Sequence, residues 1–164
     1  MMEQRFGTME GGKGSRMYIA SQFSVFMVNK PGVLAQALAE FAKVKVNIVA
    51  ITMMDSAENG VMRVVFEDPQ KARDVLSRLN MPFNETDVLC VNLANKSGAL
   101  AVVAEKLAVG HVNISYAYCT AGAEGGRTTG VLKVSDVKKA MKLLEDRKER
   151  RDQAPVRRSK ATRR

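Results

Sequence analysis

The chain has 164 residues, 46% of them hydrophobic, which is enough for one good core or two small ones that share a face. No apolar run approaches the roughly twenty residues that cross a bilayer, and the first sixteen residues hold Glu3, Glu10 and glycines where a secretory leader needs an apolar stretch. The composition therefore excludes a helical membrane protein and predicts a cytoplasmic one with no membrane partner, and the net charge of +9 becomes informative only once it is located.

Residues 1–16 are glycine-rich and polar and read as a disordered extension. From Met17 the pattern changes. Phe23, Val25 and Met27 alternate with Gln22, Ser24 and Phe26, which predicts a strand with one face on a core. A loop follows, Asn29-Lys30-Pro31-Gly32-Val33-Leu34, and then Val33, Leu34, Ala37, Leu38, Phe41 and Ala42 fall on one stripe of a helix that ends near Lys43. Val46 to Met54 and Val61 to Phe66 read as strands, joined by the link Asp55 to Gly60, whose closing Asn59-Gly60 signals a hairpin. Asp68 is the expected cap of a second helix, with Pro69 in its first turn and Ala72, Val75, Leu76 and Leu79 on its apolar face.

The same series then returns. Asn95-Lys96-Ser97-Gly98-Ala99-Leu100 repeats the Asn29 loop at an offset of 66 residues, and Val112-Asn113-Ile114 repeats Val46-Asn47-Ile48 at the same offset. Leu89, Val91 and Leu93 stand for the first strand, and Leu100, Val103, Ala104 and Leu107 for the first helix. Val112 to Cys119 and Gly130 to Val134 read as strands joined by a glycine-rich hairpin, before a helix capped by Asp136. Two copies of an element imply two copies of its job. Each repeat is β-α-β-β-α and lacks a fourth strand; Met17 to Ala20 and Phe83 to Asp87 are placed to supply it crosswise, the first to repeat two and the second to repeat one. The expected divisions are 1–16, 17–87, 88–146 and 147–164. From Arg147 to Arg164 there are nine Lys or Arg against Glu149 and Asp152, a balance of +7, leaving about +2 for the other 146 residues. That tail reads as disordered, and a solvated tail is a commoner meaning of such a run than a nucleic-acid contact.

The loop and the Val-Asn-Ile signature, twice in register, make the chain resemble tandem ACT domain proteins over about Phe23 to Leu144. The resemblance rests on Asn29, Lys30, Pro31, Gly32 and Leu34 with Val46-Asn47-Ile48; repeat two departs with Ser97 for the proline. Asp55, Gly60, Arg63, Tyr116 and Tyr118 add a likeness to small two-ACT proteins. The resemblance implies an α+β fold of tandem ferredoxin-like βαββαβ units, antiparallel sheets with helices on one face, and an amino acid held where units meet. It further implies a homodimer and a partner enzyme to be regulated, with no cofactor. The ligand-binding set it implies is Asn29, Lys30, Pro31, Gly32, Val33, Leu34, Asn47, Ile48 and Arg63, with Asn95, Lys96, Ser97, Gly98, Ala99, Leu100, Asn113 and Ile114 from repeat two.

The residues themselves agree with this and leave alternatives. A glycine before a helix lets backbone approach a ligand, and the amide protons of a first helical turn favour a carboxylate. Equally, Gly32 and Gly98 could serve a tight turn alone, and Asn29 and Asn95 could cap the helices. Asn47 and Asn113 are expected near the loop. Arg63 could hold a carboxylate or pair with Asp55, and Tyr116 and Tyr118 could line a pocket or edge a core. The methionines, among them Met53, Met54 and Met62, could form a partner surface or fill the core. Cys90 and Cys119 read as buried free thiols.

Catalysis finds little support. The single histidine, His111, corresponds to Lys45 in a solvent-facing turn, no Cys/His cluster has zinc spacing, and Ala121 to Gly126 lacks the lysine of a phosphate loop. The expected function is a non-catalytic amino-acid sensor. A regulatory subunit of a biosynthetic enzyme and a nucleic-acid-associated regulator using the tail are the alternatives.

Overall fold

The computed structural model describes residues 17–54, 59–120 and 127–145. In chain order they form β1 (Met17–Val28), α1 (Val33–Lys43), β2 (Ile48–Met54), β3 (Asn59–Phe66), α2 (Pro69–Arg78), β4 (Phe83–Ala94), α3 (Ala99–Val109), β5 (Ile114–Cys119), β6 (Arg127–Val134) and α4 (Val137–Glu145). The expected disordered ends and Asp55 lie outside the described residues.

The strands form one antiparallel sheet in the order β2-β3-β1-β4-β6-β5. The period-2 patterns of β1 and β4 produce its two faces. Phe23, Val25 and Met27 meet Ala37 and Phe41 of α1 and Val75 and Leu76 of α2 in one core, and Leu89, Val91 and Leu93 meet Val103, Leu107 and Ala140 in a second. Phe66 lies between Phe23 and Phe41, with ring centroids 5.7 Å and 4.5 Å away. A third cluster, Ala50, Val65, Val88, Cys90 and Val131, contains no helix residue and lies on the opposite, helix-free face.

The missing fourth strands are supplied crosswise. The second half of β1 pairs with β3 from Gln22↔Val65 to Val28↔Asn59, while Met17 to Val25 pair with Val91 to Phe83. The second half of β4 pairs with β6, Leu89↔Leu132 to Ala94↔Arg127. Each repeat thus reads strand two, three, one, four, with its fourth strand being part of the other repeat's first, and the two sheets fuse into one.

Local signals explain the element ends. Asp68 accepts a 3.1 Å hydrogen bond from the Lys71 amide and Asp136 a 2.9 Å bond from the Lys139 amide, as caps do. Helices α1, α2 and α3 end with Lys45, Asn80 and His111 in the left-handed region, at φ 54°, 52° and 53°. In each the next amide reaches back to a carbonyl five residues earlier, Val46 to Phe41, Met81 to Leu76 and Val112 to Leu107, which is the Schellman closure.

The last β2–β3 pair is Met54↔Val61, so Asn59 and Gly60 close the link between those strands as expected, and they also pair with Val28 and Met27 because β1 runs far enough to hold them in the ladder. One expectation fails here. Cys119 is exposed rather than buried, since it sits on the edge strand β5 with its side chain opposite Tyr118, whereas Cys90 in a central strand is buried. The methionines divide: Met62 is fully buried, while Met53 and Met54 are each 45% exposed.

Candidate functional site

The two loops fold identically. In repeat one the Lys30 amide bonds Val28 O at 2.9 Å, Val33 bonds Lys30 O at 3.3 Å and Gln36 bonds Gly32 O at 2.9 Å. In repeat two Lys96 bonds Ala94 O at 2.8 Å, Ala99 bonds Lys96 O at 3.3 Å and Val102 bonds Gly98 O at 3.0 Å. Ser97 in place of Pro31 leaves the turn unchanged. Gly32 and Gly98 occupy the helix N-cap positions at φ 89° and 80°, and neither helix start has a side-chain cap. Asn29 and Asn95 are therefore not the N-caps. The glycines are set by backbone angle and not by crowding, for nothing lies within 4 Å of where a Cβ would stand at either. Each repeat presents an uncapped, glycine-led helix start flanked by an exposed lysine, Lys30 or Lys96, a setting that favours an anion.

The Val-Asn-Ile asparagines are not beside their own loops. Between Asn29 and Asn47 the chain runs the length of α1, 11 residues or roughly 16 Å, so the two lie at opposite ends of the sheet. Asn47 is held at the far end of β3, where its carbonyl accepts from the Glu67 amide at 3.0 Å and its Nδ2 donates to Glu67 Oε2 at 3.2 Å. Asn113 repeats this with Ser135, whose amide donates to its carbonyl at 2.9 Å while the Asn113 amide donates to Ser135 Oγ at 3.1 Å. Because β1 and β4 are antiparallel, the Asn29 loop shares its end of the sheet with Asn113, and the Asn95 loop shares the other with Asn47. An open depression of about 430 Å³ lies against Asn113 and Ile114, lined also by Ala104, Ala108, His111 and Val112.

Arg63 joins neither loop. It projects from the helix-free face, between the core residues Met62 and Val64, and its guanidinium carbon stands 3.8 Å from the centroid of the Tyr116 ring. Beneath it is a residue the sequence reading passed over. Gln22 is fully buried; its Nε2 donates to the Tyr116 hydroxyl at 2.7 Å and its Oε1 accepts from the Tyr118 hydroxyl at 3.0 Å. The signal was available as a break in the repeat, since Gln22 stands where repeat two has Val88, and Ala50 and Thr52 where repeat two has Tyr116 and Tyr118. The tyrosines thus edge a buried layer and cross-link the repeats, and burial holds the Tyr118 hydroxyl above its usual pKa.

Among the described residues no group of three or more His, Cys, Asp or Glu could hold a metal ion, and no helix is long and apolar enough to cross a membrane.

The family model described as an ACT domain pair matches residues 17–149. No curated protein matches the chain significantly. Among solved structures, protein BT0572 from Bacteroides thetaiotaomicron is similar at 31% identity and a TM-score of 0.73, with 82% of this chain and 92% of that one covered. The regulatory subunit of aspartate kinase from Thermus thermophilus is similar in fold, at 14% identity, a TM-score of 0.55 and coverage of 78% and 91%.

Proposed function

The chain belongs to the ACT domain pair family, and from that premise we propose that it is a non-catalytic regulatory protein that binds an amino acid at its glycine-led turns. The observation that carries this reading is the duplication of the open helix start: the same hydrogen bonds, the same left-handed glycine and no side-chain cap at Gly32 and at Gly98. First-turn amides, the helix dipole and a nearby lysine suit the α-carboxylate, and the adjoining asparagine can serve the ammonium group.

The site is completed by a second copy. Strand β2 is an edge of the sheet, with Ile48, Ile51 and Met53 exposed at 38%, 39% and 45%. A two-fold axis joining two β2 edges places the Asn29 loop of one copy at the same end as Asn47 of the other, which reunites the two signatures that α1 separates within one chain. Ligand held between copies then favours one arrangement of the dimer, and a partner enzyme reads the difference.

The test is a thermal-shift screen against the twenty amino acids at millimolar concentration, where a ligand at about a hundred times its dissociation constant adds about 2.7 kcal/mol. The expected result is a rise for one or a few chemically related amino acids, reduced in the double variant Asn29→Ala, Gly32→Ala, which disables one of the two turns. A flat screen overturns the reading. Sedimentation should show a dimer that Ile51→Lys dissociates.

A further inference from the structure

We propose that the helix-free face carries a second ligand site, independent of the glycine turns, for an apolar monocarboxylate whose carboxylate sits on Arg63 and whose hydrocarbon lies on Phe26, Val61 and Met54.

Strand register builds the site row by row. Thr52, Arg63, Ser24 and Asn84 stand opposite one another across β2, β3, β1 and β4, forming a polar row on the face away from the helices. The next row toward the Asn29 end is Met54, Val61 and Phe26, apolar throughout. Met54 is 45% and Phe26 42% exposed, so two large apolar side chains face solvent in the row next to the one that carries Arg63. Repeat two has Thr120, Thr129 and Asn92 at the matching positions. There the Thr129 hydroxyl donates to Asn92 Oδ1 at 3.0 Å and the Thr129 amide to Thr120 Oγ1 at 3.2 Å. That row is closed on itself, and the apolar row of repeat one is not.

The Nε of Arg63 is unsatisfied. Its guanidinium is pinned against Tyr116, its Nε is buried with no hydrogen-bond partner, and it joins none of the ion pairs among the described residues. Arg73 shows the contrast: its Nε and Nη2 meet the two carboxylate oxygens of Glu85 at 2.6 Å and 2.7 Å. A carboxylate meeting Arg63 side-on takes Nε–H and one Nη–H in the same way, while Thr52 and Ser24 offer hydroxyls on either side. No Asp or Glu stands in the polar row, the apolar row or the Gln22 row. Among the described residues of those rows an α-ammonium group finds no counter-charge, which favours a plain carboxylic acid over an amino acid.

The chain reports on this face by itself. It has three tyrosines and no tryptophan, and Tyr18, Tyr116 and Tyr118 all lie on the helix-free side. Because Nε is shut from solvent, side-on binding moves the guanidinium across the Tyr116 ring, and tyrosine emission registers the movement. The experiment titrates the full chain with 4-methylpentanoate, acetate and 4-methylpentanamide while following that emission. The expected result is a saturable change with 4-methylpentanoate, binding about tenfold or more weaker for acetate, and no response to the amide. Arg63→Met should weaken 4-methylpentanoate about tenfold or more, measured by calorimetry because the variant alters the tyrosine baseline. Phe26→Ser, which leaves the Arg63–Tyr116 stack in place, should weaken 4-methylpentanoate and leave acetate unchanged. An absent or non-saturable response, an equal response to the amide, or full binding by Arg63→Met overturns the proposal. Loss of the response in Asn29→Ala, Gly32→Ala would assign the ligand to the turns and overturn it as well.

Discussion

Met17 at the start of β1 lies in register opposite Val91 of β4 and packs into the second repeat's core. A residue at the beginning of the fold therefore completes the end of it, and β1 serves both halves. Removing residues 1–21 takes away the pairs from Met17↔Val91 to Ser21↔Asp87 and opens an edge beside Leu89. The truncated chain should lose amide-exchange protection through Leu89 to Leu93 and at Leu132, with residual protection confined to repeat one. Unchanged exchange at those amides would show that repeat two is self-sufficient.

Gln22 binds both tyrosine hydroxyls from a fully buried position, so its replacement tests the link between the repeats. Gln22→Leu keeps the volume and strands two hydroxyls; the expected loss is about 1–3 kcal/mol in urea denaturation. Adding Tyr116→Phe and Tyr118→Phe should recover most of that loss, because removing all partners of a buried polar group is nearly neutral. A triple variant as unstable as the single one would mean that Gln22 acts through packing.

Much of this was readable in the sequence, and the divide has a physical origin. Period-2 and period-3.6 patterns report which face of an element is buried, so β1, α1 and the caps at Asp68 and Asp136 followed from the residues alone. The crosswise strands also followed, because a repeat without a fourth strand has to borrow one. What the pattern does not carry is which side chains meet across non-neighbouring strands. Arg63 of β3 reaches Tyr116 of β5 over three intervening strands, a contact made by the curvature of the sheet and the length of the side chains. Asn47 was expected near the Asn29 loop because the signatures recur together, whereas α1 lies between them. Gln22 was visible only as a departure from the repeat.

Gly32, Gly98 and Gly110 separate backbone strain from packing. At φ 89° and 80° with open space at the Cβ position, Gly32→Ala and Gly98→Ala should each cost about 1–2 kcal/mol through conformation alone, by similar amounts in the two repeats. Gly110 has φ −81°, which alanine accepts, but a Cβ there would stand 2.2 Å from Leu143 Cδ1. Gly110→Ala should therefore destabilise by overpacking, by about 1–3 kcal/mol, and Leu143→Ala should relieve part of that. Denaturation midpoints for the four variants check it. Rescue of Gly32→Ala by any neighbouring truncation would contradict the strain account.

Cys90, Tyr18 and Tyr118 give the fold a one-sided pH dependence. Burial pushes the Cys90 thiol from 9.0 up to about 12, and burial, with the neighbouring Cys90 as a lesser cause, holds Tyr18 and Tyr118 above the usual 10.0. Each raised value means that the folded chain keeps a proton the unfolded chain releases. Their contribution is thus fully present below about pH 9 and is lost as pH rises, first through Cys90 and then, from about pH 10, through the tyrosines. Each group can lower stability by up to about 1.4 kcal/mol per pH unit across its window. Urea unfolding between pH 7 and pH 11 should show a decline that begins near the thiol's ordinary value and steepens as the tyrosines join. Cys90→Ala should start from a lower stability at pH 7, because it leaves a small void beside Val88 and Val131, yet decline less between pH 9 and pH 10. A variant that tracks the parent chain through that interval would remove Cys90 from the account and leave the tyrosines to explain the alkaline loss alone.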